Sequence, residues 1–283
     1  MTNWKAIQNG DGGWAYSRGC SWTEPTAFAL LARSADSPNT MTIPDRESFH
    51  RGVKFLSSIA RPDGGWSPQP GVEESTWVTA LAVLLPEGAV NEQQRRNAIG
   101  WLKTRSGSES GWRYRLQQRL VGNNDEFPQG WPWFPGAAAW VIPTSLGILA
   151  FEKALRRHDA ASADLVERVE SGRTFLLGHM CADGGWNHGS NRALGRDGDS
   201  YPETTGIALL ALNGVASAQL ERAKAMARKH LASCRTAEGI AWLRMGLSAH
   251  GESLAPAPDP VCRTNMDEAL MTLARAQRNP LLA

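Results

Sequence analysis

Asp-Gly-Gly-Trp occurs three times in the chain, as Asp11-Gly12-Gly13-Trp14, Asp63-Gly64-Gly65-Trp66 and Asp183-Gly184-Gly185-Trp186. A string that returns at such a spacing constrains the fold more than any local propensity, because each repeat is one supersecondary unit that its neighbours must bury. Degenerate copies stand at Ser110-Gly111-Trp112 and Gly239-Ile240-Ala241-Trp242. The five tryptophans lie 52, 46, 74 and 56 residues apart, and the long interval carries an insertion at about 113–137. The repeat also accounts for an unusual aromatic content of 12 Trp against 7 Phe and 3 Tyr.

Two further columns run in register with the tryptophans. Eleven residues earlier stand Phe55, Trp101, Phe175 and Leu231, the first three followed by Leu56, Leu102 and Leu176. An apolar pair, then polar residues, then Gly predicts a helix that ends in a glycine turn. Beyond the turns come segments apolar on nearly every side and rich in Ala and Gly, at 24–32, 74–81, 143–150 and 203–212, with a looser copy at 263–273. A helix apolar all round is buried all round. Segments 46–60, 91–105, 163–179 and 218–233 instead carry Arg, Glu, Lys and Gln on one face and Leu, Ile, Val and Ala on the other, which marks an outer layer. The expected architecture is all-α, a single closed α/α toroid of five to six helical hairpins over residues 1–283. No polar capping unit of the kind an open solenoid requires is evident.

The string Phe55-Leu56-x3-Ala60-x3-Gly64-x-Trp66, preceded by Arg51-Gly52, resembles the "QW" repeat of squalene–hopene and oxidosqualene cyclases. The Gln of that repeat is matched by Gln8 in the first copy, and the other copies have Ala60, Ser106 and Met180 in its place. The resemblance covers nearly the whole chain. Those cyclases hold two toroids and this chain resembles one, as do the β subunit of protein prenyltransferases and complement-like thioester domains. The resemblance implies a central cavity for an isoprenoid or other apolar small molecule, and terpenoid cyclisation or prenyl transfer as the chemistry. No cofactor is expected.

Class II cyclases protonate an alkene with a D-x-D-D-T motif at the start of an inner helix, where clustered carboxylates keep one acid protonated. This chain has no D-x-D-D, and the same column reads Glu24-Pro25-Thr26, Glu74-Ser75-Thr76 and Glu203-Thr204-Thr205. Glu203 with Asp199 and Asp197 is the nearest acidic group, and these three are the candidate catalytic acids. The competing reading is that Glu and Thr are first-turn residues favoured by capping and the helix dipole. Candidate ligand contacts are Trp131, Trp133 and Trp140 from the insertion and its exit, with Trp77, Tyr201, Phe28 and Glu74. Aromatic faces of this kind grip an isoprenoid chain or a developing cation. Packing of the loop on the toroid rim is the structural alternative.

Charge and motif arithmetic narrow the partners. With 30 Lys and Arg against 28 Asp and Glu, the chain has no electrostatic footprint for nucleic acid. Four cysteines with no C-x-x-C pair make neither a disulfide scaffold nor a zinc ribbon. His179, Cys181 and His188 match no strong zinc spacing, and Asp259-Pro260-Val261-Cys262 is not the D-x-C of prenyltransferases, so no metal is expected. No leader-like or membrane-spanning segment is visible, which favours a cytoplasmic protein and leaves peripheral membrane contact open. The basic segment 113–120 could serve such contact. Two other functions compete with the isoprenoid reading. One is a non-catalytic binding or scaffold module. The other is a carbohydrate-active toroid of the polysaccharide-lyase kind, which also uses Gly-Gly-Trp turns and paired carboxylates.

Overall fold

A computed structural model describes residues 4, 6–35, 42–110, 128–158, 163–193, 196–254 and 258–283. Trp112, the basic segment 113–120 and most of the insertion lie outside these residues. The helices are α1 (Thr23–Ala35), α2 (Ile43–Ser58), α3 (Thr79–Leu84), α4 (Glu92–Lys103), α5 (Val141–Arg156), α6 (Ala163–Gly178), α7 (Pro202–Ala211), α8 (Ala218–Ser233), α9 (Ala237–Ala249) and α10 (Asn265–Arg275). A two-residue hairpin of β1 (Arg192–Ala193) and β2 (Arg196–Asp197) precedes α7.

Among the described residues six helices form the inner ring. Helix α1 packs on α3, α3 on α5, α5 on α7, α7 on α9, α9 on α10, and α10 back on α1. The ring is closed, as the all-round apolar segments predict. Helices α2, α4, α6 and α8 pack outside it. They are amphipathic, and α2, α4 and α8 carry their own start signals. Thr42 and Asn91 form capping boxes with Asp45 and Gln94, and Ser217 caps α8.

The Asp-Gly-Gly-Trp turn is a latch between an outer and an inner helix. The Trp66 indole N–H donates to Leu56 O at the end of α2 (2.9 Å), and the Trp66 backbone N–H donates to Thr79 Oγ1 at the start of α3 (2.9 Å). Trp186 repeats both bonds with Leu176 O and Thr205 Oγ1, and Trp14 with Trp4 O and Thr26 Oγ1. The aspartate closes the turn: Asp63 accepts from Gly65 N–H (3.1 Å) and Ser75 Oγ (2.6 Å). The first glycine has φ near +93° in Gly12 and Gly64, and a Cβ there would sit 2.5 Å from Arg51 O and 2.8 Å from Asn97 O. Only Gly both adopts that conformation and admits the backbone of the next outer helix so closely.

Two copies depart from the expected register. In the third unit the tryptophan in the column is Trp131. Its indole donates to Leu102 O (3.0 Å) and its backbone N–H to Thr144 Oγ1 (2.8 Å). There is no Asp-Gly-Gly in this copy. Instead Arg168 from α6 is buried over the Trp131 ring, 3.4 Å from its centroid, and donates to the carbonyls of Arg105, Gln129 and Gly130. In the last unit Trp242 lies within α9, an inner helix, and not on a turn. Thr236 caps that helix through Gly239 N–H, so the Gly239-Ile240-Ala241-Trp242 string is a helix start.

Among the described residues the middle turns of the inner helices are fully buried. Residues 27–32 of α1 are no more than 1 % exposed, and 207–211 of α7 likewise. Phe28 of α1 and Trp242 of α9 meet edge to face at 5.8 Å, although α10 stands between their helices in the ring. Phe28 is therefore a core plug and not the lining of an open apolar cavity. The far end is stopped by the C-terminal segment, where Leu281 is fully buried and Lys153 Nζ donates to Leu84 O and Pro280 O.

Candidate active site

The inner helices start at a common end, and their first turns bring carboxylates together there. Glu24 begins α1, Glu203 begins α7, Glu238 begins α9 and Asp267 begins α10. Burial and the charge of Glu238 push the Glu24 carboxyl up to about 7, against the Tyr16 hydroxyl that favours its ionised form. Burial, Glu203 and Asp267 push Glu238 up as well. The Tyr16 hydroxyl donates to Glu24 Oε2 and is itself held protonated by burial and by that carboxylate. The loop carrying Tyr16 is anchored across the ring closure, where Asn265 N–H donates to Tyr16 O (2.6 Å). Burial and a neighbouring carboxylate charge both disfavour ionisation, so Glu24 keeps an acid proton up to near-neutral pH.

Aromatic side chains wall the same mouth. His188 lies between Trp140 (6.4 Å between centroids) and Tyr201 (5.3 Å), and its Nε2 stands 3.8 Å from Glu203 Oε1. Val141 N–H donates to His188 O, which ties this loop to the start of α5 (2.9 Å). Trp77 and Trp133 meet edge to face at 4.9 Å, and Trp77 N–H donates to Trp133 O. Trp140 and Tyr201 are 37 % and 46 % exposed, so both present free faces to whatever enters.

The structure sorts the candidates. Glu203, Trp77, Trp133, Trp140 and Tyr201 lie at the mouth. Trp131 is buried in the structural column, and Phe28 is in the core. Glu74 is exposed on the loop before α3. Asp197 is exposed on β2, and the Asp199 charge bears on the buried Cys181 thiol rather than on the Glu24–Glu238 pair. Tyr16, His188 and Glu238 stand at this mouth although the sequence alone does not single them out for it. Glu24 stood in the same column as Glu203 and was readable. Glu238 was hidden because its helix was assigned to a turn.

Ser200, His230 and Asp183 form a second polar cluster with a non-catalytic geometry. Ser200 Oγ donates to Asp183 Oδ2 and lies 2.8 Å from His230 Nε2. Ser21–Asp11 and Ser75–Asp63 make the same bond in other repeats. The serine proton is committed to the turn aspartate, so His230 does not act as its base.

No protein-family model matches the chain, and no curated protein sequence matches it. Solved structures do. The type II terpene cyclase MstE from Scytonema, solved with its product merosterolic acid A, superposes with a TM-score of 0.56 at 17% identity, over 98% of this chain and 78% of that one. A GH76 α-mannanase from Bacteroides thetaiotaomicron gives 0.58 at 11% identity, over 90% of this chain and 86% of that one. A protein from Actinoplanes gives 0.53 at 14% identity, over 98% and 78%. At these identities the likeness is one of fold, and it defines the chain as an α/α toroid. Among the described residues no helix is long and apolar enough to cross a membrane.

Proposed function

We propose that the toroid mouth is an acid–base site acting on a neutral, ring-shaped polar substrate, and that a glycosidic bond is the bond it breaks. The observation that carries this is the Glu24 carboxyl, pushed up to about 7 by burial and by the neighbouring Glu238 charge. A raised carboxylic acid and an ionised partner are what glycoside hydrolysis requires: one protonates the leaving oxygen, the other activates water or attacks the anomeric carbon. Tyr16 orients the acid. Trp140, Tyr201 and His188 offer faces on which a sugar ring stacks. The buried middle turns of the inner helices support a ligand that sits in the mouth over one that passes into the ring. The fold shared with a mannanase is in keeping with this reading.

The second reading is terpenoid cyclisation started by the Glu24 proton. It is favoured by the Asp-Gly-Gly-Trp repeat and by the fold shared with MstE. One experiment separates the two. The purified chain is incubated with a panel of 4-nitrophenyl glycosides and oligosaccharides, and in parallel with squalene and prenyl diphosphates. Sugar release that falls about 10²–10⁴-fold in Glu24→Gln supports the proposal. Conversion of the isoprenoids alone overturns it in favour of the second reading, and no turnover in either arm overturns both.

A further inference from the structure

Among the described residues no outer helix packs between α9 and α10. Hairpins α2–α3, α4–α5, α6–α7 and α8–α9 each bring an outer helix against the ring, whereas α9 runs to α10 through residues 250–264, which contain no outer helix among the described residues. Beside that connection lies a groove of about 790 Å³. Its floor is Ile240 and Arg244 on the outward side of α9, one wall is the end of α8 with Leu231 and Cys234, and the other is the loop with Leu254 and Val261. Val261 is 79 % exposed.

The groove is held open by its own ion pairs. Asp259 accepts from Arg244 of α9 (2.8 Å) and from Arg275 of α10 (2.8 Å), so the loop wall is pinned to both inner helices. Pro258 and Pro260 flank that aspartate and stiffen the wall. The lining carries Arg228, Arg235, Arg244 and Arg263 against Asp259 alone. Arg228 pairs with Glu252, and Arg244 with Asp259. Among the described residues no carboxylate pairs with Arg235 or Arg263, which stand on opposite walls of the apolar strip.

We infer that this groove receives an amphipathic helix of a partner protein, with aliphatic residues on one face and Asp or Glu along its edges. Three observations fix the occupant's chemistry. The position is one that amphipathic helices of 12–16 residues occupy in the other units of this chain. The lining carries an apolar strip of Leu231, Ile240, Leu254 and Val261, which suits the i, i+3, i+4 anchors of helix-in-groove recognition. The surplus of guanidinium groups selects carboxylates and repels a basic helix. Arg is suited to this because its planar fork accommodates a carboxylate with two parallel bonds.

The test uses the full chain and three fluorescein-labelled 16-residue peptides: a Leu/Glu amphipathic helix, its Leu/Lys counterpart, and a scrambled Leu/Glu sequence. Fluorescence anisotropy should show the ordered Leu/Glu peptide binding at least tenfold more tightly than either control. Arg235→Glu with Arg263→Glu should weaken it by a further tenfold or more, with an unchanged circular-dichroism melt. Cys234 provides a readout inside the groove. Its alkylation by iodoacetamide, followed by peptide mapping, should slow in the presence of the Leu/Glu peptide while exposed Cys20 reacts as before. Equal binding of the three peptides overturns the inference. So does tight binding without protection of Cys234, or a chain that sediments as a dimer which the double substitution disperses, since a second copy is then the occupant.

Discussion

Trp66 shows how one side chain joins two helices. Its indole is buried at 1 % exposure and donates to a carbonyl at the end of α2, while its backbone N–H takes the threonine hydroxyl at the start of α3. Trp66→Phe keeps most of the apolar surface and removes only the indole donor. Leu56 O keeps the Ile59 N–H as a donor, so the loss is that of one hydrogen bond, about 0.5–1.5 kcal/mol. Urea denaturation should report that loss with an unchanged m-value. Glu24 is the residue-scale counterpart at the mouth. Its carboxyl is raised from 4.5 to about 7, so between those values the native chain binds more protons than the unfolded one. Stability from this group is fully present below about pH 4.5 and is lost as pH rises through about 7. In Glu24→Gln the thermal midpoint should decline less across that window than in the wild type. Activity requiring the protonated acid should fall above about pH 7 in the wild type, and a profile flat to pH 9 would exclude Glu24 as the acid.

At the scale of elements, small residues decide how tightly the inner helices pack. A Cβ on Gly206 of α7 would stand 2.3 Å from the Trp242 backbone carbon, and one on Gly246 of α9 would stand 2.4 Å from Gly206 O. The two helices approach until their backbones touch, so neither glycine accepts a methyl group without parting them. Gly206→Ala should lower stability by roughly 1–3 kcal/mol, although Ala is the better helix former. An unchanged denaturation midpoint would show that the helices separate at no cost. The helices were legible from sequence where a turn signal bounded them. Asp-Gly-Gly marks the approaches to α1, α3 and α7 because the aspartate caps the turn and the first glycine takes a positive φ. Helix α9 lacks that signal, and its approach is Cys234-Arg235-Thr236. The spacing of Trp242 alone suggested a turn. Nothing local distinguishes a tryptophan that latches a turn from one that plugs a ring, since both are buried. The same limit applies to Trp131, whose partners Leu102 and Thr144 are separated from it by 29 and 13 residues.

The closed ring as a whole has two unlike ends. One gathers first-turn carboxylates and exposed aromatics. The other is sealed by the C-terminal segment around Lys153, which is 3 % exposed and surrounded by Arg156, Arg157, Arg95 and Arg278. Burial first, and then those guanidinium charges, depress the Lys153 ammonium from 10.5 to about 7. A neutral amine has two N–H groups, matching the two carbonyls of Leu84 and Pro280 that it meets. Between pH 7 and 10.5 the native chain holds fewer protons here than the unfolded chain, so stability rises with pH through that window. Lys153→Met, similar in volume and without a titrating group, should flatten this rise. Urea midpoints of the two proteins at pH 7 and pH 9 check it, and equal slopes would show that Lys153 keeps its charge when folded.

The sequence by itself determined the layered, closed architecture, because periodicity and the Asp-Gly-Gly-Trp turn act within a few residues or recur at a constant spacing. A segment apolar on every face can only be an inner helix, and the amphipathic segments beside it can only be outer ones. It also placed Glu24 and Glu203 at the starts of inner helices. Tertiary structure alone decided what those helices enclose. Phe28 and Trp242 lie 214 residues apart in sequence, yet they meet inside the ring, and Phe28 is core there rather than cavity lining. Glu24 and Glu238 come from separate inner helices, and the charge of one acts on the other only at distances that ring closure sets. The acidity of Glu24 is therefore a property of the closed ring. Burial and neighbouring charge raise it, and neither exists until the first and last helices meet.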